Sequence, residues 1–201
     1  MQVQIAIVYH SSYGHTQVLA QSVARGAQAG GAEVTLIHAP DITDADWEIL
    51  AHADAIIFGS PTYMGAVSGP FKTFMDQSSA VWMQRGWADK LAAGFTVSGS
   101  MAGDKFATLS QLSTLAAQHG MLWVSLNQMP GNNLSTASPD DLNRVGASLG
   151  VMAQANNDQG PDLVPPKTDH LTAEKLGARV AELARRFVRG ADAALTEEVS
   201  V

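Results

Sequence analysis

The sequence predicts an open, doubly wound α/β domain: a five-stranded parallel sheet in the order 2-1-3-4-5, with helices on both faces. Three observations predict it. Apolar runs bounded by turn residues alternate with helical patterns, which is the rhythm of βαβ units. The runs are almost continuously apolar, as expected of strands covered on both faces. The chain has 201 residues, 46% of them hydrophobic, which suffices for one such core, whereas a closed eightfold barrel needs about 250.

Each element has its own signal. The strands are expected at Val3–Tyr9, Val34–Ile37, Ala55–Phe58, Leu91–Val97 and Met121–Val124. Between them the helical patterns run over Thr16–Gln28, Asp44–His52, Gly69–Gln77 and Lys105–His119, and a last helix over Ala173–Val188. Thr43 before Asp44-Ala45-Asp46 reads as an N-cap with acids in the first turn. Thr172 before Ala173-Glu174 reads the same way, and Arg185, Arg186 and Arg189 before Gly190 suit the negative end of a helix dipole. Residues 1–190 are read as one domain, and 191–201 as a frayed, small and acidic tail. Ser125–Pro166 is irregular, with P-G-N-N, S-P-D-D and N-N-D-Q-G-P turn signals around an apolar island at Val145–Ala155. A segment of that length in a compact domain is either functional or disordered.

Composition removes several classes of function. The net charge is -7, from 12 basic and 19 acidic residues. No basic cluster stands out, so a nucleic-acid surface is not expected. There are no cysteines, which excludes disulfides, thiolate metal sites and cysteine nucleophiles. Electrons, if this protein handles them, must be carried by something other than its side chains. The five histidines besides His119 make no metal-ligand spacing, and no metal is expected. The amino-terminal residues carry no secretory signal pattern and no run is long enough to span a membrane, so the expected location is the cytoplasm, with no membrane partner.

A sheet of order 2-1-3-4-5 is flavodoxin-like, and its ligand binds beyond the C-terminal ends of strands one, three and four. The three oddest stretches of the chain lie there. The first is His10-Ser11-Ser12-Tyr13-Gly14-His15-Thr16. Its hydroxyls, glycine and following helix N-terminus suit a phosphate without any lysine or arginine, but a serine-rich helix cap that binds nothing fits this loop equally well. It is neither a Walker loop nor a Gly-x-Gly-x-x-Gly turn. The second is Gly59-Ser60-Pro61-Thr62-Tyr63-Met64-Gly65-Ala66 and the third Ser98-Gly99-Ser100-Met101-Ala102-Gly103. Alone, the second reads as a plain connector, and the third is small and flexible, able to follow a flat ligand closely. Together, the three describe a site for a flat phosphorylated ring, and flavin mononucleotide (FMN) is the best physical fit. Trp82 and Trp87 read first as core or helix-packing residues. His119 reads first as a helix C-cap, and second as a proton donor at the ligand.

S-S-Y-G-H-T, G-S-P-T-Y-M-G, F-K-T-F-M-D-Q-S-S-A-V-W and A-A-Q-H-G-M, in that order, resemble the flavodoxin-like NAD(P)H:quinone oxidoreductases of the WrbA type. The likeness runs from Val3 to His119 and returns around Gly146–Asp158 and in the last helix. It implies that Ser11, Ser12, Tyr13, Gly14, His15 and Thr16 hold the FMN phosphate. It implies further that Pro61, Thr62, Tyr63, Met64 and Gly65 contact the isoalloxazine ring, and that Ser98, Gly99, Ser100, Met101, Ala102 and Gly103 wrap its other edge. By the same likeness His119 lies near the flavin as a candidate catalytic residue, Trp82 walls a quinone pocket and Tyr13 meets the nicotinamide. NADH or NADPH would be the donor, a quinone or similar aromatic molecule the acceptor, and the assembly a homodimer or homotetramer. The chain departs from the family pattern where Tyr63-Met64 and Ala66 replace an arginine-aromatic pair and an asparagine, and it is placed as a divergent member. An FMN electron carrier without a substrate pocket is the competing reading.

Overall fold

The computed structural model describes residues 2–198. The strands are β1 (Gln4–Tyr9), β2 (Glu33–His38), β3 (Ala55–Tyr63), β4 (Ala66–Val67), β5 (Leu91–Ser98), β6 (Leu122–Trp123) and β7 (Val151–Gln154). The α-helices are α1 (His15–Ala29), α2 (Asp44–His52), α3 (Gly69–Gln77), α4 (Ser79–Met83), α5 (Lys105–Gln118) and α6 (Lys167–Glu198). The main path of the sheet is β2-β1-β3-β5-β6, with β7 also on β5 and the short β4 on β3. The expected flavodoxin-like order is therefore present, with a broken fifth strand. β6 pairs with Leu91 and Ala92 at the start of β5, and β7 pairs in parallel with Phe95–Ser98 at its end. The apolar island at Val145–Ala155 holds the second half of that strand.

Alternation along β1 sorts the core into two layers. Ile5, Ile7 and Tyr9 join Leu19 and Val23 of α1 and Leu176 and Val180 of α6. Ala6 and Val8 join Leu50 of α2, Phe71 and Phe74 of α3, Leu112 of α5 and Trp87 on the other face. Trp87 is fully buried, so its reading as a core residue holds.

Thr43 caps α2 as expected: its hydroxyl accepts from Asp46 N–H and its own N–H donates to the Asp46 carboxylate at 2.9 Å. Thr172 does not cap α6, which starts five residues earlier at Lys167, directly after Pro165-Pro166. The Thr172 hydroxyl instead donates to Thr168 O at 2.8 Å and accepts Asn143 N–H at 2.9 Å. Nor does the helix stop at Gly190; it continues to Glu198, and of the expected tail residues 199–201 lie outside the described residues. No helix among the described residues is long and apolar enough to cross a membrane.

α1 and α6 cross in backbone contact. A Cβ on Gly26 would sit 1.9 Å from Glu174 O, and one on Gly177 2.0 Å from Val23 O. An alanine in mid-helix gains about 1 kcal/mol over glycine, but forced overpacking costs about 1–3 kcal/mol and here the obstacle is rigid backbone. The clash wins. Gly26→Ala is expected to lower the urea midpoint by an amount equal to about 1–2 kcal/mol; an unchanged or raised midpoint would refute the close crossing.

The irregular segment between β6 and β7 is held from inside. Asn143 donates through Nδ2 to Gln128 O and Ala147 O, and its Oδ1 accepts Ala147 N–H at 2.9 Å. Arg144 makes a fork to Asp169 on α6 at 2.8 and 2.9 Å, with both side chains nearly fully buried. The same carboxylate accepts Gln154 N–H at 3.0 Å. One ion pair thus ties the insertion, the last strand and the last helix together.

Candidate functional site

The three loops meet at the C-terminal edge of the sheet. His10 N–H donates to Gly59 O at 3.0 Å, stitching loop one to loop two. The His10 ring is buried, with Nδ1 at 2.7 Å from Ser68 Oγ, which lies 3.3 Å from Ser60 Oγ. Burial, and then the neighbouring His38, hold its pKa below the ordinary histidine value. His10 is accordingly a neutral strut between loops.

The two readings of loop one now separate. The N-cap of α1 is Gly14, at φ 87, and no side chain caps the helix. The serines are not capping hydroxyls, and no acid sits in the first turn. Ser11 Oγ is buried without any hydrogen-bond partner among the described residues. A helix N-terminus with uncapped N–H groups, beside an unpaired buried hydroxyl, suits an anion. His15 is tied across the site: its Nε2 bonds Gln159 O at 2.8 Å.

Loop two is more regular than the sequence suggests. β3 runs on to Tyr63 and turns through Met64 (φ 48) and Gly65 (φ 75) into β4. Positive φ at both central residues is the signature of a tight hairpin. Pro61 sits in this strand because β1 stops pairing at Gly59, leaving that side of β3 without a ladder for its missing N–H to interrupt. The Thr62 hydroxyl is taken by Thr96 at 2.9 Å and Thr108 at 2.7 Å. Tyr63 meets Tyr13 edge to face, with ring centroids 6.5 Å apart.

The loops enclose a cavity of about 690 Å³, inside the range of small-molecule sites. Of the expected residues, Ser11, Tyr13, His15, Thr16, Pro61 and Thr62 line it, together with Tyr63, Ser98 and Gly99. Ser12, Gly14, Met64, Gly65, Ser100, Met101, Ala102 and Gly103 belong to the same loops but stand off the lining. A fourth wall, Ala155 and Asn157–Gly160, was not anticipated. It follows β7 directly, so the apolar run Val151–Ala155 was its signal, once read as a strand ending at the same sheet edge. A Cβ on Gly99 would fall 2.2 Å from Asn157 Oδ1, which shows how closely the third and fourth walls approach. The lining includes no lysine or arginine, and its one carboxylate, Asp158, is exposed to solvent. The donors, the size and the Tyr13–Tyr63 pair fit a phosphorylated flat ring.

His119 and Trp82 are not brought to this cavity, which corrects the expected placement within one chain. His119 ends α5 and precedes Gly120, whose carbonyl accepts Asp89 N–H just before β5 begins. That is the N-terminal edge of the sheet, the length of the eight-residue β5 away from Ser98, or roughly 23 Å. There, Trp82, Met83 and Arg85 line a separate cavity with His119. The His119 ring lies 4.3 Å from Trp87 and 2.9 Å from Ser78 Oγ, while Nδ1 is buried without a partner among the described residues. Burial lowers its pKa. Spacing along the chain does not reveal which end of a helix faces the ligand; the strand register does.

Comparison with known proteins gives the family. The NADPH-dependent FMN reductase family matches residues 3–133. "Flavodoxin FldP" of Pseudomonas aeruginosa is 43% identical over 90% of this chain and 96% of its own length. An "NAD(P)H dehydrogenase (quinone)" of Archaeoglobus fulgidus is 32% identical over 92% of this chain and 98% of its own. Among solved structures, a flavodoxin, WrbA-like protein from Agrobacterium tumefaciens superposes with a TM-score of 0.72 at 40% identity, over 92% of this chain and 99% of that one. By fold, loop geometry and this match, the chain belongs to the NADPH-dependent FMN reductase family of flavodoxin-like proteins, on its WrbA-type side.

Proposed function

We propose that this chain is an FMN-dependent NAD(P)H:quinone oxidoreductase of the cytoplasm. The observation that carries the reading is the uncapped N-terminus of α1 beside the unpartnered Ser11 hydroxyl, both at a cavity walled by Tyr13 and Tyr63. Bound there, FMN would supply the redox chemistry: acceptance of hydride from a nicotinamide and delivery of two electrons to a quinone. The chain's part is binding, orientation and electrostatics. The first-turn N–H groups of α1 with the Ser11 and Thr16 hydroxyls hold the phosphate, replacing formal charge by dipoles. Pro61 and Thr62 back the ring. Tyr13 and Tyr63 offer an aromatic edge at the mouth, where a second flat molecule stacks. His119 and Trp82 serve this site only when a neighbouring copy presents its opposite sheet edge, so the reading includes a homodimer or homotetramer.

The expected result is a yellow protein with flavin absorbance that oxidises NADH or NADPH with benzoquinone. His119→Ala is expected to lower quinone turnover in the oligomer and leave FMN binding in place. A colourless protein that cannot be loaded with FMN sinks the reading. The alternative, an FMN carrier, is favoured by the flavodoxin name of one 43% identical relative; bound FMN without quinone turnover, together with one-electron transfer to a partner reductase, decides for it.

A further inference from the structure

Loop three is wound around a buried cation. Lys105, the first residue of α5, is 0% exposed. Its ammonium lies 2.8 Å from Ser98 Oγ, 2.7 Å from Ser100 O and 2.9 Å from Met101 O, which uses all three of its donors on neutral oxygens. No carboxylate pairs with it among the described residues. The carboxylate whose field reaches it, on Asp169, is already forked to Arg144. Burying an ammonium without an ion partner costs several kcal/mol in general, and an apolar side chain of similar size plugs such a space at lower cost. A plain packing role therefore does not account for a lysine here.

The backbone around it has a direction. Gly99 O accepts Gln154 Nε2 at 2.8 Å, Ser100 O and Met101 O accept the ammonium, and Ala102 O accepts Lys105 N–H at 3.3 Å. These four successive carbonyls are all drawn to donors of the protein itself. The N–H groups of Ser100 through Gly103 donate no hydrogen bond among the described residues, and the positive charge stands directly behind Ser98, which lines the cavity. Successive free N–H groups backed by a cation make a seat for negative charge.

We propose that Lys105 is a positioning residue that tunes the flavin toward its reduced form, acting through loop three. The proposal rests on the FMN reading above. Hydride transfer brings two electrons and one proton to a neutral oxidised ring, and the nicotinamide leaves as its oxidised cation. The ring then holds one net negative charge, which the field of Lys105 behind Ser98 favours. A field of this sign raises the reduction potential, which suits a flavin that accepts hydride better than one that delivers electrons at low potential. Burial pushes the Lys105 pKa down to about 8, so the ammonium is still mostly charged at neutral pH.

The test measures dissociation constants for oxidised FMN and for dithionite-reduced FMN under anaerobic conditions, in the unaltered protein, Lys105→Met and Gln154→Leu. Lys105→Met is expected to weaken reduced FMN at least tenfold more than oxidised FMN, equal to a fall of about 30 mV in the two-electron potential. Gln154→Leu, which frees Gly99 O without moving a charge, is expected to weaken both forms alike. An unchanged ratio in Lys105→Met, or an equal shift in Gln154→Leu, overturns the proposal. If Lys105→Met does not fold, the unaltered protein decides: reduced FMN bound at least as tightly as oxidised FMN supports it, and weaker binding of the reduced form overturns it. A protein that binds neither form refutes the FMN reading itself, a different result from an unchanged ratio.

Discussion

Asp169→Ala is expected to lower the stability of this protein by about 3–5 kcal/mol, the usual cost of leaving a buried charge without its partner. Arg144 has no route to solvent in compensation, since its side chain is 7% exposed and that of Asp169 3%. The same change orphans Gln154 N–H on β7. For a chain of this length such a loss lowers the melting temperature by roughly 10 °C. The double variant Arg144→Met with Asp169→Leu is expected to recover most of the loss, because removing both charges also removes their desolvation. Chemical denaturation of the three variants checks this. A single variant as stable as the parent would show that the pair is not buried in solution. FMN affinity in Asp169→Ala is expected to fall as well, because β7 leads straight into the fourth wall of the cavity and Gln154 holds Gly99 O.

Gly14→Ala is expected to weaken FMN binding about a hundredfold, which is about 3 kcal/mol. Two effects add. Gly14 is at φ 87, where an L-residue costs about 1–2 kcal/mol. A Cβ there would also lie 2.7 Å from Pro161 Cγ, pressing on the segment that carries Asn157–Gly160. Either the loop leaves its conformation or the fourth wall shifts, and both open the phosphate seat. Titration by quenching of flavin fluorescence reads the effect. Parent-like affinity would mean that loop one does not hold the phosphate.

Much of this was legible along the chain. The strand runs were visible because β1, β3 and β5 are buried on both faces and therefore almost wholly apolar. Their alternation with helical patterns made a parallel sheet, and a parallel sheet puts its loops at one edge. The fifth strand was legible only in halves. β6 has two residues and β7 four, lengths at which periodicity carries no signal. What joins them is their common partner β5. The tyrosine pair at the cavity mouth was equally hidden, since Tyr13 and Tyr63 lie on different loops and meet only through the β1–β3 register.

His119 and Lys105 mark the boundary most clearly. Local chemistry is written in the sequence: residue types, helix periods, caps and turns depend on neighbours within a few positions, and they sufficed for the fold class and for the loop that joins β1 to α1. Which end of a helix faces the ligand, and which buried lysine stands behind a loop, depend on contacts between segments that the sequence keeps apart. Tertiary structure alone sent His119 to the far edge of the sheet and brought Gln154, Arg144 and Asp169 around loop three. The reason is physical. A buried ion pair or a strand register is chosen by the packing of the whole domain, and no local preference encodes it.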